Sequence, residues 1–144
     1  MPSPQPSPRR LGVFGGTFDP PHVGHLVAAV NVRHALNLDR VLLVVANVPW
    51  QKVGEREITR AEDRLAMVEA AAHGVAGIEA SRVEIDRGGS SYTADTLATL
   101  RELYDDPELF LIVGSDAAGG LMTWERVDEV REGCTVVVVD RPGA

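Results

Sequence analysis

With a single cysteine, Cys134, the chain can form no disulfide within itself. Its fold must stand on burial and hydrogen bonding, and a reducing compartment is compatible with that. Cys134 opens the run Cys134-Thr135-Val136-Val137-Val138-Val139 and is expected to be a buried core thiol. Basic residues are scarce: 14 Lys and Arg stand against 21 Asp and Glu, a formal charge of -7. That balance excludes a general electrostatic grip on nucleic acid or on an anionic membrane. It does not exclude a phosphate site, which needs only a local patch. No apolar run approaches the roughly 18 residues of a membrane span. The opening Met1-Pro2-Ser3-Pro4-Gln5-Pro6-Ser7-Pro8-Arg9-Arg10 has no apolar stretch of the kind a signal peptide needs. Its alternating prolines favour an extended polyproline conformation, so residues 1–10 are expected to be a disordered tail. The cytoplasm is the expected location.

The remaining residues, 11–144, fit one domain. Leu11 to Phe14 is a short apolar run ending at a glycine pair, a buried strand. Val23, Leu26, Val27 and Val30 fall on one face of a helix from about His22 to Leu36. Arg40 to Val48 holds Val41-Leu42-Leu43-Val44-Val45, a strand apolar on both faces. Thr59-Arg60-Ala61-Glu62 reads as a capping box opening a helix with Leu65, Val68 and Ala72. Ile78 to Ile85 reads as a strand with Val83 and Ile85 inward. A helix from Thr93 to Tyr104, a strand from Leu109 to Val113, a helix around Leu121 to Arg131 and a strand from Cys134 to Val139 follow. Strict alternation of strand and helix predicts an α/β fold. It is a Rossmann-like, doubly wound, parallel five-stranded sheet with helices on both faces. Ligands in such sheets bind at the carboxyl ends of strands, where the strand order reverses.

The first strand ends in Gly15-Gly16-Thr17-Phe18-Asp19-Pro20-Pro21-His22-Val23-Gly24-His25. Gly15 and Gly16 let a ligand approach the backbone closely. His22 and His25, three apart at a helix start, share one side of its first turn. A helix N-terminus adds unpaired N–H groups and partial positive charge. Together these suit an anion such as phosphate, each imidazole donating to a phosphoryl oxygen. Two blander readings stay open: half of a metal site, although no Cys or His cluster completes it, or ordinary helix-start residues. Neither Gly-x-x-x-x-Gly-Lys-Ser/Thr nor a Gly-x-Gly-x-x-Gly helix start is present, which disfavours a P-loop ATPase and a dehydrogenase.

The same eleven residues resemble the signature of the HIGH-motif nucleotidyltransferases. Later segments resemble one branch, the bacterial nicotinate-nucleotide adenylyltransferases. These segments are Pro49-Trp50-Gln51-Lys52, Asp86-Arg87-Gly88-Gly89-Ser90-Ser91-Tyr92-Thr93-Ala94-Asp95-Thr96-Leu97, Gly114-Ser115-Asp116 with Trp124 downstream, and Arg141-Pro142-Gly143. The resemblance implies transfer of AMP from ATP to nicotinate mononucleotide, with Mg2+ accompanying ATP. It implies that His22 and His25 stabilise the transition state and that Gly15, Gly16, Thr17 and Phe18 line the phosphate path. Lys52 would reach phosphates. Gly114 and Asp116 would belong to the ATP site, Asp116 binding a ribose hydroxyl. The backbone of Tyr92 and Thr93 would hold the nicotinate carboxylate, and Trp124 would stack on the pyridine ring. For five of these residues a plainer role is open: a solvated loop lysine for Lys52, helix caps for Asp116 and Tyr92-Thr93, a core tryptophan for Trp124.

The implied partners are these two small molecules, not nucleic acid or membrane; a homo-oligomer is compatible. The family continues past Arg141-Pro142-Gly143 with a strand and a Ser-Ser/Thr-x-x-Arg segment that helps hold ATP. Nothing like it follows here, so the domain is expected to be C-terminally truncated. Alternatives are a pantetheine-phosphate adenylyltransferase, a cytidylyltransferase, or a nucleotide-binding protein without turnover.

Overall fold

The computed structural model of the chain describes residues 7–47, 58–89, 92–115 and 124–140. Strand β1 (Arg10–Gly16) leads to α1 (Val23–Ala35), β2 (Arg40–Val45) and α2 (Ala61–Ala72). Then come β3 (Ile78–Ser81), α3 (Val83–Arg87), α4 (Thr93–Leu103), β4 (Glu108–Gly114), α5 (Val127–Gly133) and β5 (Thr135–Val139). The strands lie in the order β3-β2-β1-β4-β5, and every neighbouring pair is parallel. This is the doubly wound five-stranded sheet that the alternation predicts.

The side-chain period of two explains why the central strands are apolar throughout. From β2, Val41, Leu43 and Val45 point to one face, where they meet Ala29 and Val32 of α1 and Leu65, Val68 and Ala72 of α2. Leu42 and Val44 point to the other, with Val83 of α3, Leu97 and Leu100 of α4 and Val130 of α5. Each such aliphatic chain stabilises the fold by about 1.5–3 kcal/mol when fully buried. Gly12 is small for a packing reason: a Cβ there would lie 2.9 Å from Val41 Cγ2 and 3.0 Å from Leu38 Cδ1.

Four expectations need correction. The strand expected over Ile78–Ile85 stops at Ser81, and Val83–Arg87 is a short helix. Its partner β2 ends at Val45, one residue past the last pair, Val44↔Ser81, so the ladder has nothing left to extend along. Arg82 then bonds Asp86 one turn on, at 2.8 Å, which favours helix. The capping box at Thr59–Glu62 does not form. Arg60 occupies the N-cap without a side-chain bond, and the Glu62 carboxylate is drawn instead to Arg82 at 2.9 Å. Residues 8–10, expected to belong to the tail, are instead held against the domain. Pro8 is buried, Asp39 Oδ2 accepts from the backbone N–H groups of Arg9 (2.8 Å) and Arg10 (3.0 Å), and Arg10 already belongs to β1. Cys134 is half-buried rather than fully buried, because β5 is an edge strand whose Val138 is 54% exposed. Burial still raises the thiol pKa, so the group is a poor nucleophile. No helix among the described residues is long and apolar enough to cross a membrane.

Candidate active site

Strand register creates the opening. β1 pairs with β2 as far as Gly16↔Val45, but with β4 only as far as Phe14↔Ile112. β4 meanwhile continues beside β5 to Gly114↔Val139. Beyond Phe14 and Ile112 the two central strands therefore share no ladder bonds. This is also where the chain order reverses, with β2 on one side of β1 and β4 on the other, and it is where a crevice belongs. Gly15 and Gly114 stand at its two rims, and a Cβ on either would meet nothing within 4 Å. A ligand can thus come against bare backbone on both sides. At Gly16 a Cβ would sit 3.2 Å from the Phe18 ring, so this glycine is closed underneath.

The two histidines form one unit at the start of α1. His22 is the N-cap, with extended backbone (φ -136°, ψ 171°). Its Nδ1 accepts from the Gly24 N–H at 3.2 Å, and His25 Nδ1 accepts from the His22 N–H at 3.0 Å. The rings stack, centroids 3.8 Å apart and 29° from parallel. A neutral imidazole carries one N–H, and with Nδ1 accepting, the hydrogen-bond network assigns the proton to Nε2 in each ring. The reciprocal cap thus orients two N–H donors side by side. His22 is exposed and His25 half-buried, its ring edge-on to Phe18 at 4.9 Å. Phe18 adopts a left-handed backbone (φ 52°) and is only 3% exposed. Its side chain is the floor under His25; of this residue only the backbone can line a phosphate path. The helix-start reading and the anion reading of these histidines are compatible, because the ring edges that cap and the ring edges that donate are different. Among the described residues no group of three or more His, Cys, Asp or Glu comes together to hold a metal ion.

Three residues outside the sequence-derived set hold this end of the sheet together. Arg64, 1% exposed, donates to the carbonyls of Thr17, Ala46, Asn47 and Thr59. Asp19 Oδ2 accepts from the Thr59 N–H at 2.9 Å. Asn47 Nδ2 donates to the Gly89 carbonyl at 2.9 Å, tying the end of β2 to the loop before α4. A signal for Arg64 existed: it lies one and two turns before Val68 and Ala72, on the stripe that α2 buries.

The expected mononucleotide residues lie around the start of α4. Tyr92 is its N-cap (φ -111°, ψ 130°) and its side chain makes no capping bond; Thr93 is the first helical residue. Thr96 below them is 2% exposed and donates to the buried Glu84 carboxylate at 2.5 Å. Trp124 is half-buried and packs against the core cluster that includes Ala94 and Leu97 of α4. An ion pair between Arg126 and Asp95 fastens the segment after Trp124 to the first turn of α4. Trp124 thus keeps a foot in the core and part of its surface outside it. Lys52 and Asp116 lie outside the described residues. An open depression of about 620 Å³ at the amino ends of β4 and β5, lined by Glu108, Glu129 and Glu132 among others, shares no residue with the crevice. Its acidic rim is ill suited to a polyanion.

A doubly wound sheet with a histidine pair at its switch point defines the class, and comparison with known proteins agrees. The pattern of the cytidylyltransferase-like family matches residues 13–143, and the chain belongs to that family. It is 49% identical over 135 residues to a Saccharopolyspora erythraea protein named "Probable nicotinate-nucleotide adenylyltransferase", covering 94% of this chain and 63% of that one. The chain therefore spans less than two thirds of that relative's length. Among solved structures, one from Vibrio parahaemolyticus superposes with a TM-score of 0.78 at 20% identity, covering 93% of this chain and 75% of that one. The Plasmodium falciparum nicotinic acid mononucleotide adenylyltransferase complexed with NaAD superposes with a TM-score of 0.73 at 14% identity, covering 94% and 77%. At these identities the superpositions establish the shared fold.

Proposed function

We propose that this chain carries the catalytic core of a nicotinate-nucleotide adenylyltransferase, moving AMP from ATP to nicotinate mononucleotide to give deamido-NAD and pyrophosphate. The observation that carries the reading is the stacked His22–His25 pair at the mouth of the crevice, each ring with Nδ1 engaged in the cap. The attacking group is a phosphate oxygen of the mononucleotide, mostly ionised at neutral pH because a phosphate monoester has a second pKa of about 6. That oxygen forms a bond to the α-phosphorus of ATP, and the bond from phosphorus to the bridging oxygen of the β-phosphate breaks. The electron pair leaves with pyrophosphate, so no general base is required. What the protein must supply is alignment of two polyanions and donors aimed at the charge that grows on the α-phosphoryl and leaving oxygens. Two Nε2–H groups oriented by the cap answer that need. Gly15 and Gly114, with open space where side chains would be, admit the phosphates to the backbone.

In this reading Gly16 and Thr17 continue the phosphate path, Lys52 reaches the phosphates and Asp116 a ribose hydroxyl. Tyr92 and Thr93 offer N–H groups to the nicotinate carboxylate, and Trp124 offers its exposed part to the pyridine ring. Mg2+ would enter with ATP, held mainly by the phosphates whose charge it shares. The 49% identity to a protein named for this activity favours this branch over pantetheine-phosphate or cytidylyl transfer. The test is chromatography of purified chain with ATP and nicotinate mononucleotide, beside parallel reactions with CTP and with phosphopantetheine. Deamido-NAD formation supports the reading; product only in another arm, or in none, overturns it.

A further inference from the structure

We propose that Arg64 is a positioning residue for adenylyl transfer, a single buried cation that holds the two halves of the site in register; the proposal rests on the adenylyltransferase reading above. Its guanidinium distributes four bonds over three separate stretches of backbone. Nη1 donates to Ala46 O at 2.6 Å and Thr17 O at 3.0 Å, Nη2 to Asn47 O at 3.0 Å, and Nε to Thr59 O at 2.7 Å. The planar fork of five N–H donors is what allows one side chain to do this; an ammonium offers no such fork. Burying a charge is costly unless it is well bonded, and here the surroundings are built for it. Burial draws the Arg64 pKa down from its ordinary value, and the Asp19 carboxylate opposes that shift.

The places where the bonds land make this more than a stability device. Thr17 directly follows the Gly15–Gly16 strand end and leads into the histidine pair, so it belongs to the phosphate half. Ala46 sits opposite, its N–H donating to Gly16 O at 2.9 Å. Asn47 grips Gly89 in the loop leading to Tyr92 and Thr93, the mononucleotide half. Thr59 is held from both sides, its carbonyl by Arg64 and its N–H by Asp19 of the signature loop. A shift of the guanidinium therefore moves the phosphate path relative to the mononucleotide loop. Arg64 touches no substrate position itself; it acts through Thr17 and Asn47.

The test uses the whole chain with Arg64→Lys, which keeps the charge and loses the fork, and with Asp19→Asn as a milder disturbance of the same hub should the lysine variant not fold. Misplacement of aligned reactants by about 1 Å costs on the order of a hundredfold. Arg64→Lys is therefore expected to lower kcat by about a hundredfold while KM for each substrate stays within about threefold. Amide hydrogen exchange gives a second readout that does not depend on turnover. Protection should fall at Ala46 and Thr59, whose N–H groups bond across the hub, while Leu111 and Ile112 in β4 keep theirs. A folded variant with kcat within about threefold of the parent overturns the proposal, as does protection lost evenly across the sheet. A parent chain that makes no deamido-NAD sinks the adenylyltransferase reading instead, and the exchange pattern still decides whether Arg64 holds the hub.

Discussion

Replacing His22 by asparagine separates two jobs that the imidazole performs at once. Its Nδ1 caps α1 by accepting from the Gly24 N–H, and its Nε2 is the donor assigned to the reacting phosphates. His22→Ala removes both. Loss of an N-cap typically costs about 0.5–2 kcal/mol, or about 3–5 °C of melting temperature per kcal/mol at this chain length. Loss of a preorganised donor to developing charge costs about 2.7–4 kcal/mol of transition-state stabilisation, a hundredfold to a thousandfold in turnover. Asparagine is among the best N-cap residues, and its side-chain oxygen can take over the bond from the Gly24 N–H. It cannot place a donor where Nε2 stood. His22→Asn should therefore melt within about 2 °C of the parent yet remain about a hundredfold or more down in deamido-NAD formation, close to His22→Ala. Thermal unfolding by circular dichroism and product chromatography on the same three preparations measure both quantities. Recovery of turnover together with stability in His22→Asn would refute the donor role and leave His22 as a cap alone.

Gly15→Val should leave stability unchanged or slightly improved, since the added side chain meets open space in a strand. ATP affinity by calorimetry should fall by about tenfold or more, ~1.4 kcal/mol; unchanged affinity would mean that phosphates do not pass this rim. Trp124→Ala should weaken nicotinate mononucleotide by roughly 1–3 kcal/mol, taking base stacking as the guide, with ATP affinity nearly constant. A drop in denaturant midpoint with both affinities intact would assign Trp124 wholly to the core it touches. Asp39 is held below the ordinary aspartate value of 3.8 by N–H bonds from Arg10 and then Arg9. A depressed carboxyl adds stability that is complete above its unfolded pKa and lost as pH falls through the folded one. Asp39→Asn should therefore be less stable than the parent in urea at pH 7, with the gap closing below about pH 4; a gap that does not change with pH counts against these bonds.

What could be read from the residues alone followed what burial repeats along the chain. Val41 to Val45 is apolar at every position because both faces of β2 are covered, and the same logic located the other central strands and the crevice end of the sheet. The glycine pair and the histidine spacing singled out the loop proposed to take phosphate, because bare backbone and same-side imidazoles are local properties. Features set by a partner distant in sequence were harder to read. Val83 and Ile85 alternate like a strand, yet β2 is too short to pair with them, and a pairing limit imposed from forty residues away leaves no mark on residues 78–85. Phe18 sits inside the signature and looks like part of the phosphate path, but its ring turns under Gly16 and packs edge-on against His25. Arg64 hid in Glu62-Asp63-Arg64, which looks like the solvated first turn of any helix. Only its position on the stripe of Val68 and Ala72 marked it for burial, and only the fold brings the four carbonyls that make burial tolerable. The histidines proposed to meet the substrates are thus legible because that chemistry needs them close in sequence. Residues such as Arg64 are not, because their bonds join stretches of chain that sequence keeps apart.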